Sequence, residues 1–600
     1  MSDHQEYISP AALRWRDQQP LSEHFDDIYF SADGAQEVQR IFLHPSRVVE
    51  RASQSARSWF TIGELGFGSA LNFTVTADTF LQQGCGNLHF ISVEAHPLRD
   101  SDWQIVARLR PDSATAQALA KFPPPLLSGW HRRSLHGGRV QLSVFHGDVN
   151  AALTELEQYQ RQPVDAWFLD GFAPSKNPDM WQQTVLAKLA TLSDAGTTVA
   201  TFTAAGQVRR DLAALGFAME KVDQRPFKRT SLLGRFGPKT SKPSHQPPNL
   251  VNVLGGGIAG ASVARQLADM GIAVRVFDPA GIATGGSKMN VSALHARLLG
   301  DQSPAAEFRA RAFHHARASS GFFPALQFTG ALQLALTAQE LGKIQRIHDV
   351  YQGDLPKTQD HWLSFCGPEE LAKDFNLEAL GGLYFGGAGV VNLPELCAAL
   401  LDHPAIEFRA ETKEPTTDEA WVIACGTKSR DYSLSAPLEI GDVWGQLDWI
   451  EPTSAHLPAP IVGNGYAIPG SDAWVVGSSY EQRPWPSSEA TASNIQSNRR
   501  FIGNDPITCL SYKRGPRCVS SDRDPVIGSV GHQRWVSTAH GSIGTSSAPL
   551  AGAIIASQIM GWVAPVSRRV LACIDPARFA ARQARRGVKV VGPATDPSQG

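Results

Sequence analysis

The run Leu250-Val251-Asn252-Val253-Leu254-Gly255-Gly256-Gly257-Ile258-Ala259-Gly260 leaves few choices of fold. Five residues of strand character enter a glycine turn, and the residues after it put Ala261, Ala264, Leu267 and Ala268 on one helical face. Gly255, Gly257 and Gly260 satisfy the G-x-G-x-x-G spacing in the strand–loop–helix setting that gives the spacing its meaning. The free N–H groups at such a helix start attract a pyrophosphate. A second strand, Ala273 to Phe277, ends in Asp278, which suits a ribose diol and repels a 2′-phosphate. FAD and NAD both meet these requirements and NADP does not.

A related but different turn lies in the first half. Phe60 to Leu65 runs through Glu64 into Gly66-Phe67-Gly68 and a helix from about Leu71. An acid beside the turn is wrong for a pyrophosphate and right for a cofactor with a cationic part, such as S-adenosyl-L-methionine. Three more apolar runs end in acids: Leu88 to Val93 before Glu94, Val140 to Phe145 before Asp148, and Ala166 to Leu169 before Asp170. Acids after successive parallel strands share the sheet edge where doubly wound folds bind ligands. For Asp148 alone, a helix N-cap explains the residue equally well. In Asp170-Gly171-Phe172-Ala173-Pro174 the carboxylate is suited to accept an amine's hydrogen, and Phe172 to stack on a planar base.

The chain has 600 residues, too many for one core. The polar, proline-rich stretch 239–249 reads as a linker between a domain over 1–238 and another over 250–600. The alternation of strand and helix is expected to break in the second, between roughly 300 and 500, at an antiparallel α+β insertion. Seven scattered cysteines, with no C-x-x-C pair and no partner histidine at zinc spacing, argue for reduced thiols and no metal site. The N-terminal residues are polar and acidic, unlike a signal peptide, and Leu550 to Val566 carries Ser557 and Gln558, so a cytoplasmic protein without a membrane span is expected. A net charge of −2 argues against a general polyanion binder, although basic clusters occur near 225–235, 513–523 and 568–589.

Several longer runs resemble one family. Asp27-Ile28-Tyr29-Phe30-Ser31, the loop from Glu64 to Phe73, Ser92 to Leu98, and Asp165 to Trp181 with its D-G-F-A-P-x-K-N-P-D-M-W core occur in order. Thr201 to Gly206, Gly386 to Pro394, Val422 to Gly426, Arg523 to Gly528 and the glycine loop His540-Gly541-Ser542-Ile543-Gly544 continue the match. Together they are similar to the bifunctional tRNA 5-methylaminomethyl-2-thiouridine biosynthesis proteins. The resemblance implies a Rossmann-like class I methyltransferase domain followed by a glycine-oxidase-like FAD domain. It implies a tRNA wobble uridine as substrate: the flavin half removes a carboxymethyl group, and the other half methylates the resulting amine with S-adenosyl-L-methionine.

Site residues follow from that match. Glu64, Gly66, Gly68, Glu94 and Asp148 are expected at S-adenosyl-L-methionine, and Gly255, Gly257, Gly260, Asp278, Gly541 and Gly544 at FAD. Asp170 and Phe172 are expected at the methyl acceptor, and Arg517 at the substrate carboxylate. A monomer without a metal is expected. The chain departs from the family at Gly285 to Asn290, where a Gly-Ala-Ser-Gly-Asn-like run is usual, at His295-Ala296 in place of Tyr-Pro, and at Ala70 in place of a third glycine. Two rival readings remain at this level: a glycine-oxidase-like enzyme on free amino acids fused to a small-molecule N-methyltransferase, and a non-catalytic RNA-binding flavoprotein.

Overall fold

The computed structural model describes residues 8–16, 19–24, 27–28, 33–172, 174–226, 230–237, 245–319, 325–352, 362–432, 438–463 and 465–587. The segment 238–244, most of the expected linker, lies outside them, as do Tyr29 to Ser31, Ala173, Lys228, Arg229 and Lys589. The chain divides into two compact units. The first is Met1–Pro247 with the short segments Asp269–Gly271 and Ser557–Pro565; the second is Pro248–Ala268, Ile272–Ala556 and Val566–Gly600.

The first unit is built on one eight-stranded sheet. Its strands are β1 (Trp59–Leu65), β2 (Asn87–Glu94), β3 (Gly129–Leu135), β4 (Val140–His146), β5 (Val164–Leu169), β6 (Ser193–Thr201), β7 (Phe217–Asp223) and β8 (Thr230–Phe236). They lie in the order β7-β8-β6-β5-β1-β2-β4-β3. The five central strands are parallel; β3 and β8 run antiparallel to them, and β7, paired antiparallel with β8, again runs in their direction. All seven residues of β1 are buried, as expected of a parallel strand covered on both faces. Helix α1 (Leu71–Gln82) buries Phe73, Ala77 and Phe80 on one stripe, packed with Phe90 and Phe168 in a shared core. Full burial of each phenylalanine contributes about 1.5–3 kcal/mol, which holds the start of α1 firmly against the sheet. Because β1 lies between β5 and β2, the chain departs from it in both directions, and the crevice at its C-terminal end is a topological switch point.

The second unit repeats the principle. Strands β9 (Leu250–Leu254), β10 (Ala273–Phe277), β11 (Ile406–Arg409), β12 (Ala420–Ile423), β13 (Val526–Gly531) and β14 (Arg534–Thr538) form a sheet in the order β11-β10-β9-β12-β14-β13. All its neighbours are parallel except the final β14–β13 pair. The expected insertion is not one continuous excursion. β11 and β12 fall inside 300–500 yet belong to this sheet, because Ala420 to Ile423 is a wholly buried apolar run that the sheet alone can cover. Two three-stranded sheets precede them, and a four-stranded antiparallel sheet follows, formed by Ile440–Ile450, Tyr466–Ile468, Trp474–Gly477 and Cys509–Ser520. The stretch Gly541–Met560 is long and apolar enough to cross a membrane by length and composition alone. It is 78% buried inside the protein, and its apolar character is that of a core helix.

Candidate active sites of the two units

In the first unit, β1 delivers Glu64 and then turns at Gly66, whose φ of +97° is open to glycine without strain. A Cβ there would stand 2.8 Å from the carbonyl oxygen of Asp170, so the turn also needs glycine for the close approach of the β5 loop. The N–H groups of Gly66 and Phe67 both donate to the carbonyl of Val93, at 3.0 and 3.1 Å. Gly68 N–H donates to Glu94 Oε2 at 2.7 Å, and His96 N–H to Glu94 Oε1 at 2.8 Å. Glu94 therefore shapes the turn with both oxygens, and a carboxylate with about four lone-pair sites can still accept a ribose hydroxyl. Burial raises its pKa, against the pull of the amides of His96, Gly68 and Ala95.

Glu64 is deeper than a residue lining the crevice need be. It is 1% exposed and accepts from Asn72 Nδ2 at 2.9 Å and Ser92 Oγ at 2.6 Å. Burial lifts its pKa well above the ordinary glutamate value; Ser92 and Asn72 oppose the rise, and Asp170 and Glu94 add to it. The Asn72 nitrogen lies only 2.6 Å from Asp170 Oδ2, so one amide bridges Glu64 and Asp170. Asp170 is half-buried, its N–H donating to the Leu65 carbonyl at 3.1 Å. Phe172 is half-buried as well, and its carbonyl accepts from Trp181 Nε1 at 3.1 Å. Asp148 takes the alternative role the sequence allowed: it caps the helix Val149–Tyr159 by accepting from Ala151 N–H at 2.9 Å. Asn72 and Ser92 are the residues that sequence reasoning missed. The apolar period of α1, which runs through Phe73, Ala77 and Phe80, leaves position 72 unmarked, so no sequence signal singled Asn72 out.

Ala70 adopts φ +57° and ψ +30°, the left-handed region, immediately before α1. A glycine at this position would hold that conformation without strain.

In the second unit Gly255 has φ +108°, and a Cβ on it would stand 2.5 Å from the Ala424 carbonyl oxygen. Gly260 is pressed against the carbonyl of Gly255, which brings the helix Ile258–Asp269 (α2) close to β9. Asp278 accepts from Gly256 N–H at 2.8 Å and Ala280 N–H at 3.0 Å. The altered run 285–290 is not idle, because Ser287 Oγ accepts from Ile258 N–H at 3.0 Å, at the start of α2. Gly541 has φ +54° and opens a short 3₁₀ turn, and Gly544 begins the helix Gly544–Met560 (α3). Beside that turn His540 is buried and bonded to Ser537 Oγ at 3.2 Å and Ser547 Oγ at 2.9 Å, and burial lowers its pKa to about 4.

Arg517 lies on the edge strand Cys509–Ser520, donating to the carbonyls of Ser479 at 3.0 Å and Trp444 at 3.3 Å. Its guanidinium occupies the space a side chain at Gly445 would need. Burial lowers its pKa, while Tyr466 and Glu481 raise it. The Tyr466 hydroxyl accepts from Ala293 N–H at 2.8 Å, two residues before His295. Burial takes the His295 imidazole down to about 4, and its buried Nδ1 has no hydrogen-bond partner.

The residues present fit the two cofactors the loops suggest. Around β1, two buried acids, a glycine turn and the buried, partnerless Oδ1 of Asn72 suit a ligand that carries N–H groups and positive charge. Around β9, glycine backbones line a helix start and Asp278 orders the loop, which suits a dinucleotide. Among the described residues no group of three or more His, Cys, Asp or Glu could hold a metal ion. The basic tail is partly spent inside the protein: Arg569 pairs with Glu307 at 2.7 Å, Arg578 with Asp522 at 3.0 Å, and Arg582 with Asp522 and Glu439.

Comparison with known sequences agrees with this division. The family profile for S-adenosyl-L-methionine-dependent methyltransferases matches residues 111–236, and that for FAD-dependent oxidoreductases matches 251–558. A bifunctional tRNA 5-methylaminomethyl-2-thiouridine biosynthesis protein from Idiomarina loihiensis is 32% identical over 93% of this chain and 97% of its own length. The chain belongs to that family. Its member from Thiobacillus denitrificans is 31% identical over 96% of this chain and 98% of its own. A glycine oxidase from Geobacillus kaustophilus aligns structurally with a TM-score of 0.46 at 20% identity, over 55% of this chain and 98% of its own. Like the other members of the family, the chain joins a methyltransferase and an FAD-dependent oxidoreductase, and its cofactors are S-adenosyl-L-methionine and FAD.

Proposed function

We propose that this enzyme modifies a tRNA wobble uridine in two consecutive steps: residues 250–600 remove the carboxymethyl group from 5-carboxymethylaminomethyl-(2-thio)uridine, and residues 1–238 methylate the exposed amine. The observation that carries this reading is the pair of built cofactor loops, each at a switch point of its own sheet, in a chain matched nearly end to end by relatives of that name. Stretch 239–249 is the linker. The enzyme acts as a monomer in the cytoplasm, without metal or membrane partners.

In the oxidative half, Gly255, Gly257, Gly260, Asp278, Gly541 and Gly544 would hold FAD, which when bound would supply the two-electron oxidation of the carboxymethyl carbon beside the amine. Arg517 clamps the substrate carboxylate in a two-pronged, charge-assisted contact, and its desolvation strengthens the attraction. Water then hydrolyses the imine left by that oxidation, releasing the two-carbon unit as glyoxylate and freeing a primary aminomethyl group on the uridine. In the transfer half, Glu64, Gly66, Gly68 and Glu94 hold S-adenosyl-L-methionine, which supplies a methyl group on a sulfonium. Asp148 caps its helix and contributes to this site at most through its outward oxygen. Asp170 accepts a hydrogen bond from the incoming amine and then its proton, while Phe172 stacks on the base. Alignment and proton acceptance are the main demands of such a transfer.

The test uses the full chain and tRNA bearing the carboxymethylaminomethyl group. Anaerobic mixing should bleach the flavin absorbance, and radiolabel from S-adenosyl-L-methionine should then appear in the tRNA. Asp170→Ala should still bleach the flavin while transferring label at least about 10²-fold more slowly. Flavin bleaching by free glycine or sarcosine, with none by the tRNA, would refute the reading.

A further inference from the structure

We propose that Asn72 is a positioning residue for methyl transfer, aiming the Asp170 carboxylate at the acceptor amine and tying it to Glu64. The proposal rests on the reading that Asp170 meets that amine. Asn72 is the second residue of α1 and only 3% exposed, buried beside the stripe formed by Phe73, Ala77 and Phe80. A buried primary amide is retained where its hydrogen bonds are needed, since burial without them is unfavourable.

Its partners explain the choice of residue. The Asn72 nitrogen donates to Glu64 Oε1 at 2.9 Å and to Asp170 Oδ2 at 2.6 Å. Both partners are carboxyl groups, Glu64 on β1 and Asp170 just past the end of β5, so the amide is held with its nitrogen toward them: its oxygen in that place would face two acceptors. Asp170 stands on a loop, whereas Asn72 stands on a helix fixed by its buried aromatic residues. The short bond lends the helix's rigidity to the loop carboxylate, which is what transfer geometry demands. It also places a donor between two acids that would otherwise repel each other, because Asp170 and Glu64 each disfavour the other's charge.

The other end of the amide carries none of this work: Asn72 Oδ1 is buried and has no hydrogen-bond partner, so the bonds of Nδ2 to Glu64 and Asp170 are what the side chain contributes.

The experiment uses the full chain as Asn72→Ala, Asn72→Ser, Asp170→Ala and the Asn72→Ala/Asp170→Ala double variant. Calorimetry reads S-adenosyl-L-methionine binding, amide hydrogen exchange reads the mobility of Gly171 and Phe172, and single-turnover transfer to aminomethyl tRNA reads the chemistry. The expected result is binding within about threefold of the parent, faster exchange at Gly171 and Phe172, and transfer slowed about 10²-fold. The double variant should be no slower than Asp170→Ala alone, since both substitutions remove one interaction. Parental transfer by Asn72→Ala, or multiplying effects in the double variant, would overturn the proposal. So would loss of binding in both Asn72 variants, which would assign the residue to cofactor retention. Parental transfer by Asp170→Ala is a separate failure, that of the Asp170 reading itself.

Discussion

The seat beneath Arg517 offers a way to disable one half of the enzyme and leave the other intact. Gly445 pairs with Gly515 across the strands Ile440–Ile450 and Cys509–Ser520, and the guanidinium of Arg517 fills the space where a residue-445 side chain would stand. Gly445→Ala therefore displaces the guanidinium from the carbonyls of Ser479 and Trp444, which it reaches at 3.0 and 3.3 Å. A hydrogen bond to a charged group contributes about 1.5–3 kcal/mol, and a displaced guanidinium can keep at most one prong on the substrate carboxylate. Loss of one to two such contacts, about 3 kcal/mol, corresponds to a roughly 10²-fold fall in kcat/KM for carboxymethyl removal. Adding a methyl to this packed site also destabilises by about 1–3 kcal/mol, so assays belong below the variant's own melting midpoint. Stopped-flow flavin reduction by the modified tRNA measures the effect, with label transfer to aminomethyl tRNA as the internal control. A variant that keeps bound FAD and reduces it at the parental rate would refute the assignment of Arg517. Equal losses in both activities would refute the claim that the seat serves only the flavin half.

Three further outcomes follow from buried ionisable groups. Glu307→Ala should destabilise the second unit by about 3–5 kcal/mol in denaturant unfolding, because it removes the carboxylate that pairs with the buried Arg311 and also meets Arg569 and Ser567. Burial alone would raise Glu307, but Arg311 and Arg569 outweigh it and hold its pKa low; the parent should lose this stabilisation as pH falls through the carboxylate range, and the variant should not. His540, held near 4, binds fewer protons folded than unfolded between about pH 6.5 and 4, so the midpoint of the flavin unit should drop as pH falls through that window, with a shallower slope in His540→Asn. Glu64 has the opposite sign: its raised pKa means stability declines as pH rises above about 4.5, and Glu64→Gln, which keeps an oxygen for Asn72, should raise the melting midpoint of the first unit at pH 8 by a few degrees, about the response to 1 kcal/mol; an unchanged midpoint would argue against a carboxyl whose ionisation is penalised by burial.

Much of the fold was legible because the central strands of both sheets are parallel and buried. Runs such as Phe60 to Leu65 and Val251 to Leu254 are mostly apolar and continuously buried, and the glycine turns after them mark the edge where doubly wound sheets bind ligands. The boundaries of the insertion were less legible. β11 reads Ile-Glu-Phe-Arg, an alternation that suits the rim of an antiparallel sheet equally well, yet it is the edge strand beside β10. No local pattern distinguishes a strand that leaves the nucleotide sheet from one that returns to it, since that choice depends on partners more than a hundred residues away.

The candidate sites divide along the same line. Glycines announce themselves because backbone geometry requires them wherever they occur, and Gly66 and Gly255 adopt the positive φ values the turns demand. Acids announce only that a charge lies at a strand end. Glu64, Glu94, Asp148 and Asp170 occupy equivalent sequence positions but have distinct tasks: Glu64 is buried against Asn72 and Ser92, Glu94 gathers the amides of Gly68 and His96, Asp148 caps a helix, and Asp170 alone joins a loop to the helix through Asn72. What separates them is the donor each one meets, and those donors come from other strands and helices. Asn72 shows why the missing information is three-dimensional. Eight positions beyond Glu64 and 98 before Asp170, it acquires a role only when β1 and β5 become neighbours and α1 packs above them. The same logic applies to Gly445, whose importance lies in the guanidinium it leaves room for, 72 residues away.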